Sequence, residues 1–312
     1  MATLTLFTAP KPFTNPHINL IQRNAIQSWC ALGADVQVIL VGHEAGMAEL
    51  AQELSILQLP GVACNEKGTP LISSIFELAR TASPSPLLAY VNADVMILPD
   101  FLAAARLASA QPRPFLIVGQ RWDLDVREPV SFGPGWDQTL QRRVAQSGRL
   151  HPPSGSDYFI YPRDCFTDLP PFAVGRAGWD NWMIYAARKQ GWRVIDASQA
   201  ITAIHQDHDY SHLPGGQPHY HLPESNHNAA LAGGKRAIFS LSDANFVMKH
   251  GQLSPASFTW KKTLREAEIF PLIRLKSALL GQFAYSIFHP MKAFQEFRGW
   301  LAWKLSSRKA QS

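Results

Sequence analysis

Leu87-Leu88-Ala89-Tyr90-Val91-Asn92-Ala93-Asp94-Val95-Met96-Ile97-Leu98-Pro99 decides how the chain is read. The run is apolar, rich in aromatic and branched residues, and bounded by Pro84, Pro86 and Pro99. Such a run reads as one buried strand of a mostly parallel sheet. Asn92 and Asp94 stand two apart near its C-terminal end, so strand alternation projects them to the same side. Open α/β sheets bind ligands outside the carboxyl ends of their strands. A carboxylate there can hold a divalent metal, and the metal a diphosphate. The plainer reading is a strand ending in a turn, because Asn and Asp are common turn residues.

The flanking sequence fits an alternating α/β order. Leu4–Thr8 reads as a first strand, closed by Ala9-Pro10-Lys11-Pro12, a stiff turn short of backbone donors. Ile18, Ile21, Ala25, Ile26 and Trp29 recur with a helical period, and Val36–Val41 reads as the second strand. Strand–helix–strand in this order implies a right-handed crossover and a parallel sheet. The loop holding Glu44 falls at the same sheet edge as the Pro10–Lys11 turn, so Lys11 or Glu44 could meet a nucleotide base. A helix from about Met47 to Leu57 and a short strand near Val62-Ala63 follow. Thr69 and Pro70 then suit the N-cap and first position of a helix over Leu71–Arg80. Its N-terminus either faces a phosphate or is simply capped. After the deciding strand come a helix over Asp100–Ala108, a strand at Phe115–Gly119, and a Gly- and Pro-rich stretch beginning at Arg121-Trp122-Asp123. A strand over Ser156–Pro162, a helix over Trp179–Lys189 and a strand at Trp192–Asp196 complete the pattern.

Composition narrows the function classes. The 312 residues are 46% hydrophobic and 17% charged, a globular balance. Cys30, Cys64 and Cys165 have no metal-type spacing and are too few for a disulfide framework. No basic n-region precedes an apolar core at the N-terminus and no run reaches the ~18 apolar residues of a spanning helix, so a cytoplasmic protein is expected. No G-x-G-x-x-G, P-loop lysine motif or G-x-S-x-G elbow occurs. Charge is uneven: residues 255–312 hold ten Lys or Arg and three Glu, while the other 254 hold 19 basic and 21 acidic side chains. We therefore divide the chain into a body, 1–254, and a basic amphipathic helical tail, 255–312. The tail mixes aromatic, basic and aliphatic residues, which suits either a peripheral membrane surface or packing on the body. No nucleic-acid-binding signature accompanies it, so nucleic acid is not an expected partner.

Three further groups could carry chemistry. Six of the eleven histidines lie between His205 and His227, with His205 and His208 flanking Asp207, and Asp209 and His212 following. Imidazole with carboxylate suits a transition metal, and a polar loop bonded to backbone is the competing reading. Asp180 stands at a helix start, where the dipole favours its ionised form; it is either a helix-stabilising residue or a base for a sugar hydroxyl. Trp179 and Trp182, three apart on that helix, are core residues or a stacking wall for a sugar. Asp157, after Ser154-Gly155-Ser156, caps a turn or bonds a sugar.

Taken in order, Asn92-Ala93-Asp94, then Gly175-Arg176-Ala177-Gly178-Trp179-Asp180 with Arg188 and Gly191-Trp192-Arg193-Val194, then His205-Gln206-Asp207-His208-Asp209, resemble the motifs of GT-A glycosyltransferases of the family-2-like, inverting group. The resemblance covers roughly residues 1–250. It implies a GT-A-type, Rossmann-like, mostly parallel sheet flanked by helices. It also implies a Mn or Mg ion, a UDP- or GDP-sugar donor, and transfer to a glycan or lipid-linked acceptor hydroxyl. By the same resemblance Asp94 meets the metal or diphosphate, His205 or His208 ligates the metal, and Asp180 is the base. Asn92 replaces the first acid of the D-x-D motif and Trp179 the glutamate of the "ED" pair. These departures keep a non-catalytic nucleotide-sugar or glycan-binding protein as the alternative. A nucleotidyltransferase is disfavoured, because Thr8-Ala9-Pro10-Lys11 is not a Gly-rich basic loop.

Overall fold

The computed structural model describes residues 2–208 and 222–309; Asp209 and His212 lie outside them. The elements are β1 (Leu4–Thr8), α1 (Pro16–Cys30), β2 (Val36–Val41), α2 (Met47–Glu53), β3 (Leu57–Leu59), α3 (Ile72–Ala82), β4 (Leu87–Val91), β5 (Val95–Ile97), α4 (Asp100–Ser109), β6 (Phe115–Val118), β7 (Trp122–Leu124), α5 (Trp136–Ser147), β8 (Arg149–Leu150), β9 (Tyr158–Pro162), α6 (Trp179–Lys189), β10 (Arg193–Gln199), β11 (Ala203–Gln206), α7 (Pro223–Leu231), β12 (Phe246–Lys249), β13 (Gln252–Pro255), α8 (Trp260–Ile273), α9 (Ala278–Phe288) and α10 (Pro290–Lys309). They form two compact units: Met1–Ala187 with Trp192–Ala256, and Arg188–Gly191 with Ser257–Ser312.

In the first unit, nine strands form one sheet in the order β13-β12-β10-β6-β9-β4-β1-β2-β3. The pairs β1–β2, β1–β4, β2–β3, β6–β10 and β10–β12 are parallel, while β9 runs antiparallel between β4 and β6. This is the mostly parallel α/β class expected from the sequence. The central strands read as continuous apolar runs because both faces are covered: every residue of β1, β4 and β6 is buried. One face carries an aromatic cluster in which Phe76 of α3 packs on Phe7, Tyr90 and Tyr161, with ring centroids 5.0–5.7 Å apart.

A second, four-stranded sheet in the order β5-β11-β7-β8 builds the site. Its β5 is an edge strand, and α1 covers that edge. Trp29 Nε1 donates to Val95 O at 2.9 Å, and Ser28 Oγ accepts from Ile97 N at 3.1 Å. Side chains thus stand in for the missing neighbour strand at these two backbone groups. Helix α1 opens on Asn15, whose side chain accepts from His17 N and Ile18 N, with Pro16 beginning the first turn.

The fold corrects three local readings. The run Leu87–Leu98 is not one strand: β4 ends at Val91, the chain turns through Asn92–Asp94, and β5 joins the other sheet. Both halves are buried, so hydrophobicity carries no mark of the break, and Asn92 and Asp94 do not share a strand face. The third strand is Leu57–Leu59, not Val62-Ala63, and α2 stops at Glu53. Thr69 is not a helix cap. Residues Pro70 and Leu71 are held extended by bridges to Cys64 and Ala173, so α3 begins only at Ile72.

The second unit contains α8, α9 and α10. Thr259 and Ser277 cap α8 and α9 through side chains that accept from Lys262 N and Leu280 N. Arg188 makes a two-pronged ion pair with Glu266, at 2.6 and 3.1 Å.

Candidate functional site

Strand register places the first components. In the small sheet His205 of β11 pairs with Val95 on one side and with Asp123 of β7 on the other. Asp94, just before β5, is thereby brought to His205, and residues after β11 fold back onto it. His208 Nε2 lies 3.1 Å from Asp94 Oδ2, and His205 Nε2 lies 3.9 Å from the same oxygen. The three ligand atoms all fall within 4.8 Å of one another. Asp94 Oδ1 is buried and has no hydrogen-bond partner. A buried carboxylate oxygen without a donor, facing two imidazoles, is the chemistry a divalent cation satisfies. Burial would raise the Asp94 carboxyl, but the His208 hydrogen bond and the charges of His205 and Lys11 outweigh it and hold it far below the ordinary range. It is a committed carboxylate.

The turn carrying Asp94 is fixed from behind by Gln206, a fully buried residue. Its Nε2 donates to Ile21 O at 2.7 Å and to Asp94 O at 3.1 Å, and its Oε1 accepts from Asn24 Nδ2 at 3.0 Å. Gln22 similarly clamps the β1–α1 turn, accepting from Lys11 N at 2.7 Å and donating to Lys11 O at 2.9 Å. Pro10 in this turn is buried. The turn is tied to the Glu44 loop by Phe13 N donating to Ala45 O at 2.8 Å. Burial lowers the Lys11 ammonium from its ordinary value, the Asp94 charge acts the other way, and Arg176 lowers it further. Lys11 therefore feels both Asp94 and Arg176. Glu44 is partly buried at the C-terminal end of β2, on the loop next to the Lys11 turn.

A second network runs sideways from Asn92. Its Nδ2 donates to Asp157 Oδ1 at 2.7 Å, and Arg121 Nη1 donates to Asp157 Oδ2 at 2.5 Å. Arg121 Nε also holds Asp123 Oδ1 at 2.9 Å, and His151 Nδ1 lies 2.9 Å from Asp123 Oδ2. Both oxygens of Asp157 are engaged, so it braces the Asn92 turn and is not presented to a sugar. Asp180 opens α6 beside this network. Burial raises its carboxyl to about 6, backbone N–H groups of its own turn pull it down, and the Asp157 charge pushes it up. The Cβ of any side chain at Gly155 would stand 3.9 Å from Asp180 Oδ2.

Two other expected contacts are corrected. Trp179 is 5% exposed and its ring lies 5.1–5.3 Å from those of Tyr90 and Phe159, so it belongs to the core and offers no face to a sugar. Thr69 Oγ1 donates to Glu224 Oε1 at 2.8 Å, together with Asn65 Nδ2 at 2.7 Å, while Arg176 Nε holds Glu224 Oε2 at 2.8 Å. Thr69 thus serves an internal carboxylate and not a phosphate. Trp182 is half-buried against Phe172, 5.3 Å between centroids.

Arg121, Asp123, His151 and Gln206 stand out only in the folded chain. Arg121-Trp122-Asp123 is visible in sequence as a break in composition; its pairing with a strand some eighty residues later is not.

No protein-family model matches the chain, and no curated protein matches it by sequence. Among solved structures it is similar to the mannosyltransferase PcManGT from Pyrobaculum calidifontis, in complex with GDP-Man and Mn2+, at 15% identity and a TM-score of 0.42 over 65% of this chain and 56% of that one. It is similar to S. aureus TarS 1-349 at 11% identity and a TM-score of 0.39, over 66% and 58%. It is also similar to glucosyl-3-phosphoglycerate synthase from Mycobacterium tuberculosis, in complex with Mg2+ and UDP, at 12% identity and a TM-score of 0.46 over 75% and 80%. The chain spans little more than half the length of the first two.

Proposed function

We propose that the protein is a metal-dependent, inverting glycosyltransferase that moves a sugar from a UDP- or GDP-linked donor to a hydroxyl of a glycan or lipid-linked acceptor. The observation that carries this reading is Asp94 with its unpartnered buried oxygen, facing His205 and His208, with the half-buried Lys11 close enough to feel its charge. In the proposal Asp94, His205 and His208 hold a Mn or Mg ion, whose charge offsets that developing on the leaving diphosphate. Lys11 supplies fixed positive charge on the same side. Pro10 and Glu44 border the nucleotide, with the turn kept rigid by Gln22. Asn92 acts through Asp157 and not on the ribose, because its amide is committed there. Asp180 takes the proton of the acceptor hydroxyl as the oxygen attacks the anomeric carbon, and a carboxyl near 6 is ionised yet basic at neutral pH. Trp182 borders the acceptor. The basic tail places the protein at a membrane surface.

Incubating the full chain with Mn2+ and a panel of UDP- and GDP-sugars, and following release of the free nucleotide, tests the reading. Slow Mn2+-dependent donor hydrolysis is expected. Donor binding without turnover would instead mark a nucleotide-sugar-binding protein, and no binding in the presence of Mn2+ would end the proposal.

A further inference from the structure

Two groups of metal-competent side chains share His205: Asp94–His205–His208 and Asp123–His205–Asp207. Of their carboxylate oxygens, only Asp94 Oδ1 in the first is buried without a hydrogen-bond partner. In the second, Arg121 and His151 take the two oxygens of Asp123, and Arg149 takes Asp207 Oδ2 at 2.7 Å. Both carboxylates of the second group already accept from side chains, which calls for a different reading of Asp123.

Its placement supplies one. His205 and Asp123 are registered neighbours on parallel strands, so their side chains rise from the same face of the small sheet. His205 Nδ1 is buried and has no aligned hydrogen-bond partner, but Asp123 Oδ1 stands 3.3 Å from it. The other ring nitrogen, Nε2, points to Asp94. A histidine that ligates through one nitrogen commonly donates its other N–H to a carboxylate, which fixes the tautomer and the ring plane. Asp123 is itself held by donors from two directions, so it is a fixed point.

We propose that Asp123 is a positioning residue for His205: clamped by Arg121 and His151, it accepts from Nδ1–H and keeps the Nε2 lone pair aimed at the Asp94 site. This inference rests on the metal reading above and adds the orienting residue to it.

Mn2+ titration of the full-length protein by electron paramagnetic resonance, without nucleotide, separates the two. Wild type is expected to bind Mn2+ with nitrogen couplings from two imidazoles in pulsed spectra, one of them lost in His205→Ala. Asp123→Ala should weaken Mn2+ by about 10- to 100-fold and remove the same coupling. Asp123→Asn, which keeps an acceptor oxygen and the shape, should recover most of the affinity. Asp207→Ala should leave affinity within about twofold, since Asp207 ligates nothing in this scheme. If Asp123→Ala does not fold, Asp123→Leu paired with His151→Leu, which removes the half-buried imidazole together with the carboxylate, is measured in its place. Wild-type affinity in the Asp123 variants, with coupling intact, overturns the inference and leaves the metal site standing. Equal losses in Asp207→Ala and Asp123→Ala overturn it in favour of the other group. No imidazole-bound Mn2+ in wild type removes the metal reading itself.

Discussion

Asp180 is pulled in two directions by its surroundings. Burial and the Asp157 charge raise its carboxyl from 3.8 to about 6, against the backbone N–H groups at the start of α6. A base must be ionised to accept a proton, so the proposed transfer should fall as pH drops through about 6 and level off above it. The same shift bears on stability. The folded state holds the Asp180 proton more tightly than the unfolded chain does, so stability gained from the protonated form is full below the unfolded value and lost as pH rises through the folded one. At 1.36 kcal/mol per unit, ionised Asp180 costs the fold up to about 3 kcal/mol in alkaline solution. Asp180→Asn should therefore abolish transfer, leave nucleotide affinity near wild type, and melt above wild type at about pH 8, with the gap closing near pH 4. Transfer by the variant would remove Asp180 as the base, and a melting gap independent of pH would remove the buried-charge account. Thr69 and Trp179 show why such roles are hard to assign one residue at a time. Each has the right type for its expected contact, but Glu224 takes the hydroxyl of one and the aromatic core takes the ring of the other.

The small sheet is the element on which the site depends, and it is the part least legible in the sequence. Asn92, Asp94, Asp180, His205 and His208 stand out because each sits in a short local pattern of polar residues at an element's end. What unites Asp94 with His205 is the splitting of one apolar run between two sheets and the register of β5, β7 and β11. Periodicity reports which residues are buried, not which sheet buries them, so the long main sheet was readable and the short one was not. The small sheet is held to α1 by side chains. Ser28 Oγ satisfies Ile97 N, and buried Gln206 joins Ile21, Asn24 and the Asp94 turn. Gln206→Leu keeps the volume but strips these partners, and should cost about 1–3 kcal/mol in denaturant unfolding. Ser28→Ala leaves one buried N–H bare and should cost about 1–2 kcal/mol. Neither residue meets the proposed metal, so a full-stability Gln206→Leu variant would show that the α1 clamp does not set the position of the Asp94 turn.

At the scale of the whole molecule, charge and apolar exposure concentrate in the same 58 residues. The stretch 255–312 carries ten basic and three acidic side chains, against 19 and 21 in the rest. Within it α9, ALLGQFAYSIF, has no charged residue. Gly281 and Ala284 are buried, with Gly281 packed against Leu272 of α8. The opposite stripe, Leu279, Phe283 and Ile287 at spacing i, i+4, i+8, is 85, 66 and 61% exposed. Arg274 and Lys276 precede this stripe and Lys292 follows it, an order that suits an anionic lipid interface, where apolar rings enter the acyl boundary and basic heads stay at the phosphates. No helix among the described residues is long and apolar enough to cross a membrane, so the contact proposed is with one leaflet. The full chain should co-sediment with vesicles containing phosphatidylglycerol and far less with pure phosphatidylcholine. Binding should fall steeply toward 1 M salt, where the screening length is about 3 Å. Phe283→Asp with Ile287→Asp should release it while leaving donor hydrolysis intact, because both changes lie in the second unit. Sedimentation that ignores lipid charge and these substitutions alike would assign the stripe to a protein surface, and the lipid-linked acceptor would lose its support with it.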